Sequence, residues 1–533
     1  MKLTFADFKG EVPRLHPRLL PESAAQVAIN TRIENGALVP MNASALVYVL
    51  PAAAQSIYRR ADGSWLSWNT DVRAQPGPVS NLRTYITGDG VPKIIADAAL
   101  GQSYDLALNR PIVALAAIPI GTGDPDLVET VVFSYTYVTV MDEESQLADL
   151  SNEVSIDATQ SVTITGFPSD ATIAALARGI DRFRFYRSQT DALGATNLYL
   201  VSEQTIAVMG TTFTFNPLTM PTAEVCPSID YTPPVDTMSG IISVPNGLMA
   251  AFSGKDLYFC EPFRPHAWPV KYSLTMDYQI VGLASIGSAV VVMTTGTPYM
   301  VQGTTPDSMA QEKIEKNLPC VAAKGIVDLG YAVAYPSTEG LVVVSNGSAD
   351  LVSKQLFTRQ QWDALNAETF VAGQHIGRYV FSHNPDGDVA NIVGMIDLSG
   401  AQPYFLESEE VFDAVFYELG TGKLFILANG ININEWDRLD AAKRSQTWKS
   451  RLVNLPSPTN FGCAMVETDD RGIAESFALD VFADEALVHT VTTRNQAVRL
   501  PAGFQAYRWE VQFRGTATVT SIRLAHSPSE LVT

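Results

Sequence analysis

Residues 247–259 read GLMAAFSGKDLYF: an apolar run, a turn around Gly254 and a second apolar run. The same order of strand, Gly-bearing turn and strand returns with turns near positions 287, 340, 387 and 421, on average about 42 residues apart. Short apolar runs bounded by turn residues predict strands rather than helices. A repeat of this length built only from short strands is typical of the blades of a β-propeller.

Further sheets are predicted on both sides of this repeat. Residues 56–68 and 82–96 form two hairpins with Gly-bearing turns, which can supply the first blades. Residues 131–215 alternate like sandwich strands and resemble a fibronectin type III module, with residues 142–145 in an exposed turn. Residues 448–533 again read as strands and predict a second small sandwich.

The sequence therefore predicts an all-β chain with few short helices, in which a β-propeller carries an inserted fibronectin type III-like sandwich and a C-terminal β-sandwich. Residues 1–110 form an N-terminal arm, a helix and the first propeller sheets, residues 111–235 the inserted sandwich, residues 236–440 the remaining blades and residues 441–533 the C-terminal sandwich. Helical periodicity is confined to residues 22–33 and to residues 358–365, where Thr358 is the expected N-cap.

Charge and apolar content exclude several classes of protein. The chain has 36 Lys and Arg against 56 Asp and Glu, and its net charge of −20 repels phosphate backbones and anionic membranes. The longest apolar runs, residues 45–54 and 112–120, are only about ten residues long and contain proline, so neither can span a membrane. The first residues lack the apolar core of a signal peptide, and we expect a protein made without export.

Cysteines and histidines give no metal or cofactor signature. Cys226, Cys260, Cys320 and Cys463 lie tens of residues apart without a C-x-x-C pair, which predicts buried free thiols in a reducing compartment. The six histidines show neither H-E-x-x-H nor H-x-H spacing. We therefore expect no metal ion and no cofactor.

An enzyme is not expected either. Propeller glycosidases need a pair of carboxylates, and sialidases also need an arginine cluster and repeated S-x-D-x-G-x-x-W turns. Only residues 62–65 (DGSW) come near that motif, and they do not recur. The acid pairs at positions 124 and 126 and at 386 and 388 read as turns, and no G-x-S-x-G elbow or phosphate-binding loop is present. A capsule-degrading hydrolase is thus a hypothesis without an acid pair to support it.

The densest basic cluster consists of Arg178, Arg182, Arg184 and Arg187. On a strand, Arg182 and Arg184 share one face, while the phenylalanines between and after them share the other. This face is either solvated sandwich surface or a docking surface for an acidic neighbour or a fibre.

Two further groups are possible interfaces. Arg264, His266 and Trp268 lie in the proline-rich run RPHAWP, which is either a ligand-binding corner or a stiffened loop with Trp268 as a packing anchor. Lys449 and Arg451 mark the junction before the C-terminal sandwich, where a second basic group can contact a neighbour.

Three groups of segments carry a family resemblance. They are residues 10–40, which include PRLLPESAAQVAINTRIENGALVP, residues 257–269 (LYFCEPFRPHAWP) with 278–283, and residues 448–451 with 499–503 and 509–511. In this order they resemble the tail-tubular or nozzle proteins, virion structural proteins at the distal end of the tail of short-tailed bacteriophages. None of these segments is a catalytic signature.

The resemblance implies a homo-oligomer, a ring of about six copies below the tail adaptor ring, with fibres or spikes attached outside. Genomic DNA would pass through it as non-specific cargo, so we expect a virion tail protein made in the host cytoplasm, without stable membrane insertion. The alternative is a tail module that binds a host receptor or glycan, with Trp436-Asp437 and Trp448 as candidate residues.

Overall fold

A computed structural model describes residues 1–80, 82–96, 102–124, 126–190, 194–384, 392–398, 403–469 and 475–532. The predicted turn at position 387, the acid pair at 386 and 388, and the residue between the acids at 124 and 126 lie outside these ranges. The described chain is almost entirely β-strand. Its three short α-helices are α1 (Asp170–Ala175), α2 (Arg359–Ala364) and α3 (Pro528–Val532).

The strands before the inserted sandwich are β1 (Lys2–Phe5), β2 (Ala25–Ile29), β3 (Thr31–Glu34), β4 (Ala37–Pro40), β5 (Ala45–Val49), β6 (Ser56–Arg59), β7 (Trp65–Trp68), β8 (Arg73–Pro76), β9 (Thr84–Thr87), β10 (Lys93–Ile95) and β11 (Ser103–Asp105). The inserted sandwich contains β12 (Ala116–Ile120), β13 (Glu129–Val131), β14 (Phe133–Thr139), β15 (Val154–Ile156), β16 (Ser161–Thr165), β17 (Ile180–Thr190), β18 (Thr196–Thr205) and β19 (Phe213–Phe215).

The strands of the repeat are β20 (Ser239–Val244), β21 (Leu248–Ser253), β22 (Asp256–Phe259), β23 (Leu274–Thr275), β24 (Ile280–Ile286), β25 (Ala289–Thr294), β26 (Tyr299–Gln302), β27 (Ala310–Lys313), β28 (Val327–Asp328), β29 (Val333–Ser337), β30 (Gly340–Ser345), β31 (Ser348–Leu351), β32 (Val371–His375), β33 (Arg378–His383), β34 (Ile392–Asp397), β35 (Tyr404–Ser408), β36 (Ala414–Glu418), β37 (Lys423–Ala428) and β38 (Asn432–Glu435). The last strands are β39 (Gln446–Ser450), β40 (Val453–Thr459), β41 (Cys463–Thr468), β42 (Phe477–Ala483), β43 (Ala486–Val491), β44 (Val498–Arg499), β45 (Ala506–Gly515) and β46 (Val519–Ala525).

Four-stranded antiparallel sheets form the blades of a propeller. Among the described residues they are β8–β11, β20–β23, β24–β27, β28–β31, β32–β35, and β36–β38 completed by β5. Their first strands contact one another in the order β8, β20, β24, β28, β32 and β36, and β36 contacts β6 of the two-stranded sheet β6–β7. The Ser56 hydroxyl at the start of β6 accepts a hydrogen bond from the Val72 amide, 3.0 Å away and just before β8, which closes the ring. The predicted β-propeller is confirmed.

The first strands of the blades recur more evenly than the turns do. Those of the five later blades start at Ser239, Ile280, Val327, Val371 and Ala414, between 41 and 47 residues apart. The Gly-bearing turns are less even because they fall in different hairpins, for example between β21 and β22 in one blade and between β24 and β25 in the next.

Strand β5 completes a blade whose other strands come hundreds of residues later. It pairs antiparallel with β38, from Val49 opposite Asn432 to Ala45 opposite Glu435. The blade β36–β38 thus takes its outer strand from the start of the chain, and the two ends of the propeller sequence are joined by main-chain hydrogen bonds.

The C-terminal sandwich also depends on the start of the chain. One of its sheets contains β2, β39, β45, β42 and β43, and the other contains β3, β4, β46, β41 and β44 with β1 on β46. Trp448 and Trp509 are fully buried in the core between them. Residues 1–40, which the sequence assigns to an arm and a helix in the first part of the chain, therefore supply four strands to this sandwich.

The helix predicted over residues 22–33 is wrong. These residues form β2 and β3, with Asn30 between them in a left-handed conformation at φ 52°. Strand β2 pairs with β39 on one side and with β35 on the other. Pairing on both sides outweighs a weak helical periodicity. By contrast, α2 begins after Thr358 as predicted, and the Thr358 side chain accepts from the Gln361 amide.

The inserted unit is a two-sheet sandwich, as expected. Sheet β12-β16-β19 faces sheet β14-β17-β18, and β13 pairs with β15. Aromatic rings fill the space between them, and Phe185 stacks on Phe213 with ring centroids 4.3 Å apart. The turn at residues 142–145 is not exposed as predicted, because Glu143, Glu144 and Ser145 are buried where the sandwich meets the propeller.

Candidate functional site

The inserted sandwich meets the propeller at a buried polar cluster of Glu143, Glu144, Arg178 and His266, called here the joint. Arg178 Nη2 donates to Glu143 Oε2 at 2.7 Å. On the propeller side, His266 Nε2 donates to the main-chain oxygen of Glu144 at 3.0 Å, and its Nδ1 lies 3.9 Å from Glu143 Oε1. His266 thus contacts this chain's own insertion, and the joint fixes the sandwich to the blade β20–β23.

Burial decides the charge of His266. It lowers the pKa of the imidazole to about 4, although the nearby Glu143 carboxylate opposes the shift. The ring is therefore neutral at pH 7, with its proton on the nitrogen that faces the Glu144 carbonyl. Its role in the joint is that of a fixed hydrogen-bond donor.

The arginine cluster is largely satisfied within the sandwich. Arg182 pairs with Asp142, Asp181 and Glu203, and the Arg184 side chain lies 2.8 Å from Glu144 and 2.7 Å from Glu203. Both arginines are half-buried on the face that the alternation predicts, opposite the phenylalanines of the core.

Arg187 does not share that face. Its guanidinium lies over the ring of Phe215, 5.7 Å from the centroid, and pairs with Glu129. Alternation along β17 places residue 187 on the same face as Phe183 and Phe185. Arg187 is buried, so it belongs to the core of the sandwich rather than to a docking surface.

Trp268 is the packing anchor of its loop. It is buried in a core cluster with Tyr85, Met141 and Cys260, and its Nε1 donates to the Pro265 oxygen at 2.7 Å. This cluster joins blades β8–β11 and β20–β23 to the insertion. Arg264 is exposed, and its guanidinium lies close enough to Tyr231 to lower the pKa of that phenol, against the larger upward effect of burial.

Lys449 and Arg451 lie on the C-terminal sandwich, where both have partners. Lys449 Nζ is 3.3 Å from Glu510 Oε1 and lies over the ring of Phe482. Arg451 pairs with Glu22 at 3.0 Å. This pair links the residue directly after β39 to the segment before β2, so it reinforces the contact between the first and last strands of the sandwich.

A seam of main-chain contacts joins the propeller to the C-terminal sandwich through residues 9–11. Glu11 exchanges main-chain hydrogen bonds with Phe405 of β35, and its Oε1 accepts from the Ala28 amide of β2 at 2.6 Å. Gly10 lies so close to β35 that a Cβ atom there would come within 2.4 Å of the Phe405 oxygen. Burial raises the pKa of Glu11 to about 8, and Glu407 adds to the shift, with the Ala28 hydrogen bond opposing it.

Two side chains near the starts of the first strands of the blades reach across the axis of the propeller. Arg73 Nη2, at the start of β8, donates to the Ala323 oxygen before β28 at 2.6 Å. Lys324 Nζ donates to the Gln55 oxygen before β6 at 3.1 Å. These strands lie three places apart in the order of blades, so both bonds run across the axis.

A cavity of about 320 Å³ lies beside the Arg73 bond. It is called here the axial cavity, and strands β8, β20, β24 and β28 supply its walls. Its charged side chains are Asp71, Arg73 and Asp328. No local pattern in the sequence marks these residues, because each is a single charge beside an apolar run, and only closure of the ring brings them together.

The two longest apolar runs of the sequence are exposed. In β5, Leu46, Val47, Tyr48 and Val49 are 57%, 39%, 43% and 51% exposed. In and before β12, the exposed residues are Ile112, Val113, Ile118 and Ile120. Each strand has one partner among the described residues, β38 and β16 respectively, so both runs lie at edges of sheets. They are called here the apolar edges.

All four cysteines are free and buried, as their spacing predicts. Burial raises the pKa of the Cys260 and Cys320 thiols to about 12. Within the described ranges, no group of three or more His, Cys, Asp or Glu side chains could hold a metal ion. No helix in the part of the chain that the structure describes is long and apolar enough to cross a membrane.

No family model and no curated protein matches the chain. Solved structures give only distant likenesses. The extracellular domain of a hybrid two component system from B. thetaiotaomicron is 10% identical at a TM-score of 0.27, over 90% of this chain and 51% of that one, so this chain spans about half its length. The N-terminal domain of Nup159 is 7% identical at a TM-score of 0.26, and the match covers 50% of this chain and 67% of that one. YCF48 from Cyanidioschyzon merolae is 10% identical at a TM-score of 0.25, and the match covers 64% of this chain and 96% of that one. At these TM-scores the likenesses carry no argument about function, and the propeller assignment rests on the chain's own sheets.

Proposed function

We propose that this chain is a virion structural protein of a short-tailed bacteriophage: a nozzle subunit that forms a ring at the distal tail. The ring would hold the genomic DNA, pass it during ejection and anchor fibres or spikes. The observation that carries the proposal is the pair of apolar edges, because a chain that works alone rarely leaves its longest apolar runs on open edge strands. Such edges suit a protein that works as part of an assembly.

The contact between the chain ends also supports the family resemblance. Two of the three groups of resembling segments, residues 10–40 and residues 448–451 with 499–503 and 509–511, lie in one sandwich although they are over 400 residues apart. The Trp448 Nε1 donates to the Lys9 oxygen at 3.1 Å, and the Trp448 ring packs on Phe8. These two groups therefore belong to one structural unit, while residues 257–269 lie in the propeller.

The cross-axis bonds determine where DNA would pass. Double-stranded DNA has a major groove alone about 12 Å wide, so it cannot cross an axis bridged by the hydrogen bonds of Arg73 and Lys324. The channel would lie between the copies of a ring. Six copies would carry a charge of roughly −120, which disfavours adhesion of phosphate groups to the assembly.

Location in the virion tests this proposal. Cryo-electron microscopy of purified virions, or antibody labelling against this chain, should place it at the distal tip of a short tail, around an axial channel and below the adaptor ring. Label on peripheral fibres, or no label on virions, would contradict the nozzle role.

A host-receptor or glycan-binding tail module is the second candidate, and the axial cavity is the observation that favours it. A glycan array with the purified chain discriminates between the two, because a nozzle that only conducts DNA gives no reproducible hit. We propose no enzymatic activity for either candidate.

A further inference from the structure

The axial cavity has the size of a small-ligand site. Its volume of about 320 Å³ lies at the lower end of the range for such pockets. It lies between strands of four sheets of the ring and is partly open to solvent, with Asp71, Gly88 and Ala323 added from segments beside those strands. A site built on rigid strands keeps its shape before a ligand arrives.

The three charged side chains of the cavity form no ion pairs among the described residues. Asp71, Arg73 and Asp328 form no ion pair with one another or with any other described residue, unlike Arg182, Arg184 and most arginines of the chain. Among the described residues, Arg73 donates to the Ala323 oxygen, and Asp328 accepts from the Gly330 amide. Acceptors on two carboxylates and donors on one guanidinium are therefore left for a ligand.

The cavity also has an apolar wall. Phe252 contributes an aromatic ring beside Ile242 and Ile326. Gly240, at φ 62°, lets this ring approach the main chain of β20, because a Cβ there would come within 2.3 Å of Phe252 Cε1. The remaining polar lining includes Gln75, Ser239 and Ser285.

We propose that the axial cavity binds one neutral, hexose-sized sugar unit. Sugar hydroxyl groups can donate to Asp71 and Asp328 and accept from Arg73, and the C–H face of the ring can pack on Phe252. The two carboxylates oppose an anionic ligand and the guanidinium opposes a simple cation, which leaves a neutral hydroxylated molecule as the best match. The proposal deepens the second candidate function, host glycan binding, and it does not rest on the nozzle role, since the cavity belongs to the single chain.

Titration of the purified full chain tests the site. Ligand-detected NMR or calorimetry with glucose, galactose, mannose and N-acetylglucosamine should show one of them binding with a dissociation constant on the order of 1 mM. Asp71→Asn and Asp328→Asn should each weaken that binding about tenfold or more, because a carboxylate accepts hydroxyl hydrogen bonds more strongly than an amide. Asp350→Asn, on β31 outside the cavity, is the matched control and should leave binding unchanged.

Three outcomes would overturn the proposal: no binding of any sugar up to about 50 mM, binding that both cavity variants leave intact, or competition by a free amino acid at the same residues. Asparagine keeps the size of aspartate and can still accept from the Gly330 amide, so circular dichroism and thermal unfolding should confirm folded variants. Because this test uses the purified chain and the nozzle test uses virions, the two proposals fail separately.

Discussion

Glu11 is buried where the propeller meets the C-terminal sandwich, and its carboxyl group is mostly protonated at neutral pH. With a pKa raised to about 8, the folded chain binds a proton that the unfolded chain releases near pH 4.5. The free energy of unfolding should therefore fall as the pH rises from about 4.5 to 8, and this contribution should level off above that range. The difference is on the order of 5 kcal/mol for a shift of this size.

Glu11→Gln should remove this part of the pH dependence, because glutamine keeps an acceptor for the Ala28 amide without a titrating group. We expect the melting temperature of the variant to change less than that of the parent chain between pH 5 and 9. Glu22→Gln is the control, since Glu22 is exposed and pairs only with Arg451 on the surface. Equal pH slopes in Glu11→Gln and the parent chain would show that the Glu11 carboxyl group does not titrate in this way.

Arg178 illustrates the opposite case, a buried charge held by a partner. Arg178→Met leaves the Glu143 carboxylate buried without its cation, and we expect a loss of about 3 to 5 kcal/mol in the unfolding of the inserted sandwich. The double variant Arg178→Met with Glu143→Gln should lose less than the single variant. Denaturant unfolding of the four chains of this cycle measures the coupling, and additive effects of the two substitutions would argue against a coupled joint.

At the scale of elements, β5 has two functions: it completes a blade, and it exposes an apolar edge. Val47→Lys with Val49→Lys should keep the propeller folded, because both side chains are exposed, and should weaken self-association by placing like charges on the edge. Leu218→Lys is the control, because Leu218 is also exposed but follows β19, the strand at the opposite side of its sheet from β12. Analytical ultracentrifugation over a range of concentrations should show a shift toward monomer only for the β5 variant.

An unchanged association constant in the β5 variant would show that β5 does not lie in the interface between copies. The apolar edge at β12 would then be the alternative interface. The corresponding substitution there is Ile118→Lys with Ile120→Lys, again at exposed positions. Assembly that survives both pairs of substitutions would contradict the role given to the apolar edges.

The elements differ in how far the sequence predicts them. Elements that depend on local pattern are predicted well. The hairpin β6–β7 follows from the turn at Asp62-Gly63, and helix α2 follows from the N-cap at Thr358. The segment around Ala25 and Ile29 does not, because its conformation depends on β39, more than 400 residues later. The same holds for the burial of Glu143, which needs the propeller beside it.

The candidate site is less predictable than the fold for a related reason. Arg182, Arg184 and His266 are conspicuous in the sequence, yet their partners come from the chain itself. Asp71, Arg73 and Asp328 are inconspicuous, and they become a cluster only when separate blades close into a ring. Side chains that converge through topology leave no local pattern in the sequence.

At the scale of the whole molecule, the net charge of −20 governs contact with nucleic acid. We expect the purified chain to bind duplex DNA more weakly than a typical non-specific binder, with a dissociation constant above about 10⁻⁴ M at physiological salt. Fluorescence anisotropy of a labelled duplex measures this. Micromolar affinity that falls steeply with salt would reveal a basic surface and would contradict passage of DNA without adhesion.

The placement of β2 and β5 also has a consequence for synthesis on the ribosome. At about 5 to 20 residues per second, β2 emerges roughly 20 to 80 s before β39, the strand with which it pairs. For most of this interval β2 and β5 lack the strands with which they pair, and both are open to chaperones and to other chains on the same polysome. A polypeptide stalled or cleaved before its final hundred residues would therefore lose the partners of its own beginning, and quality control could recognise it by that exposed start.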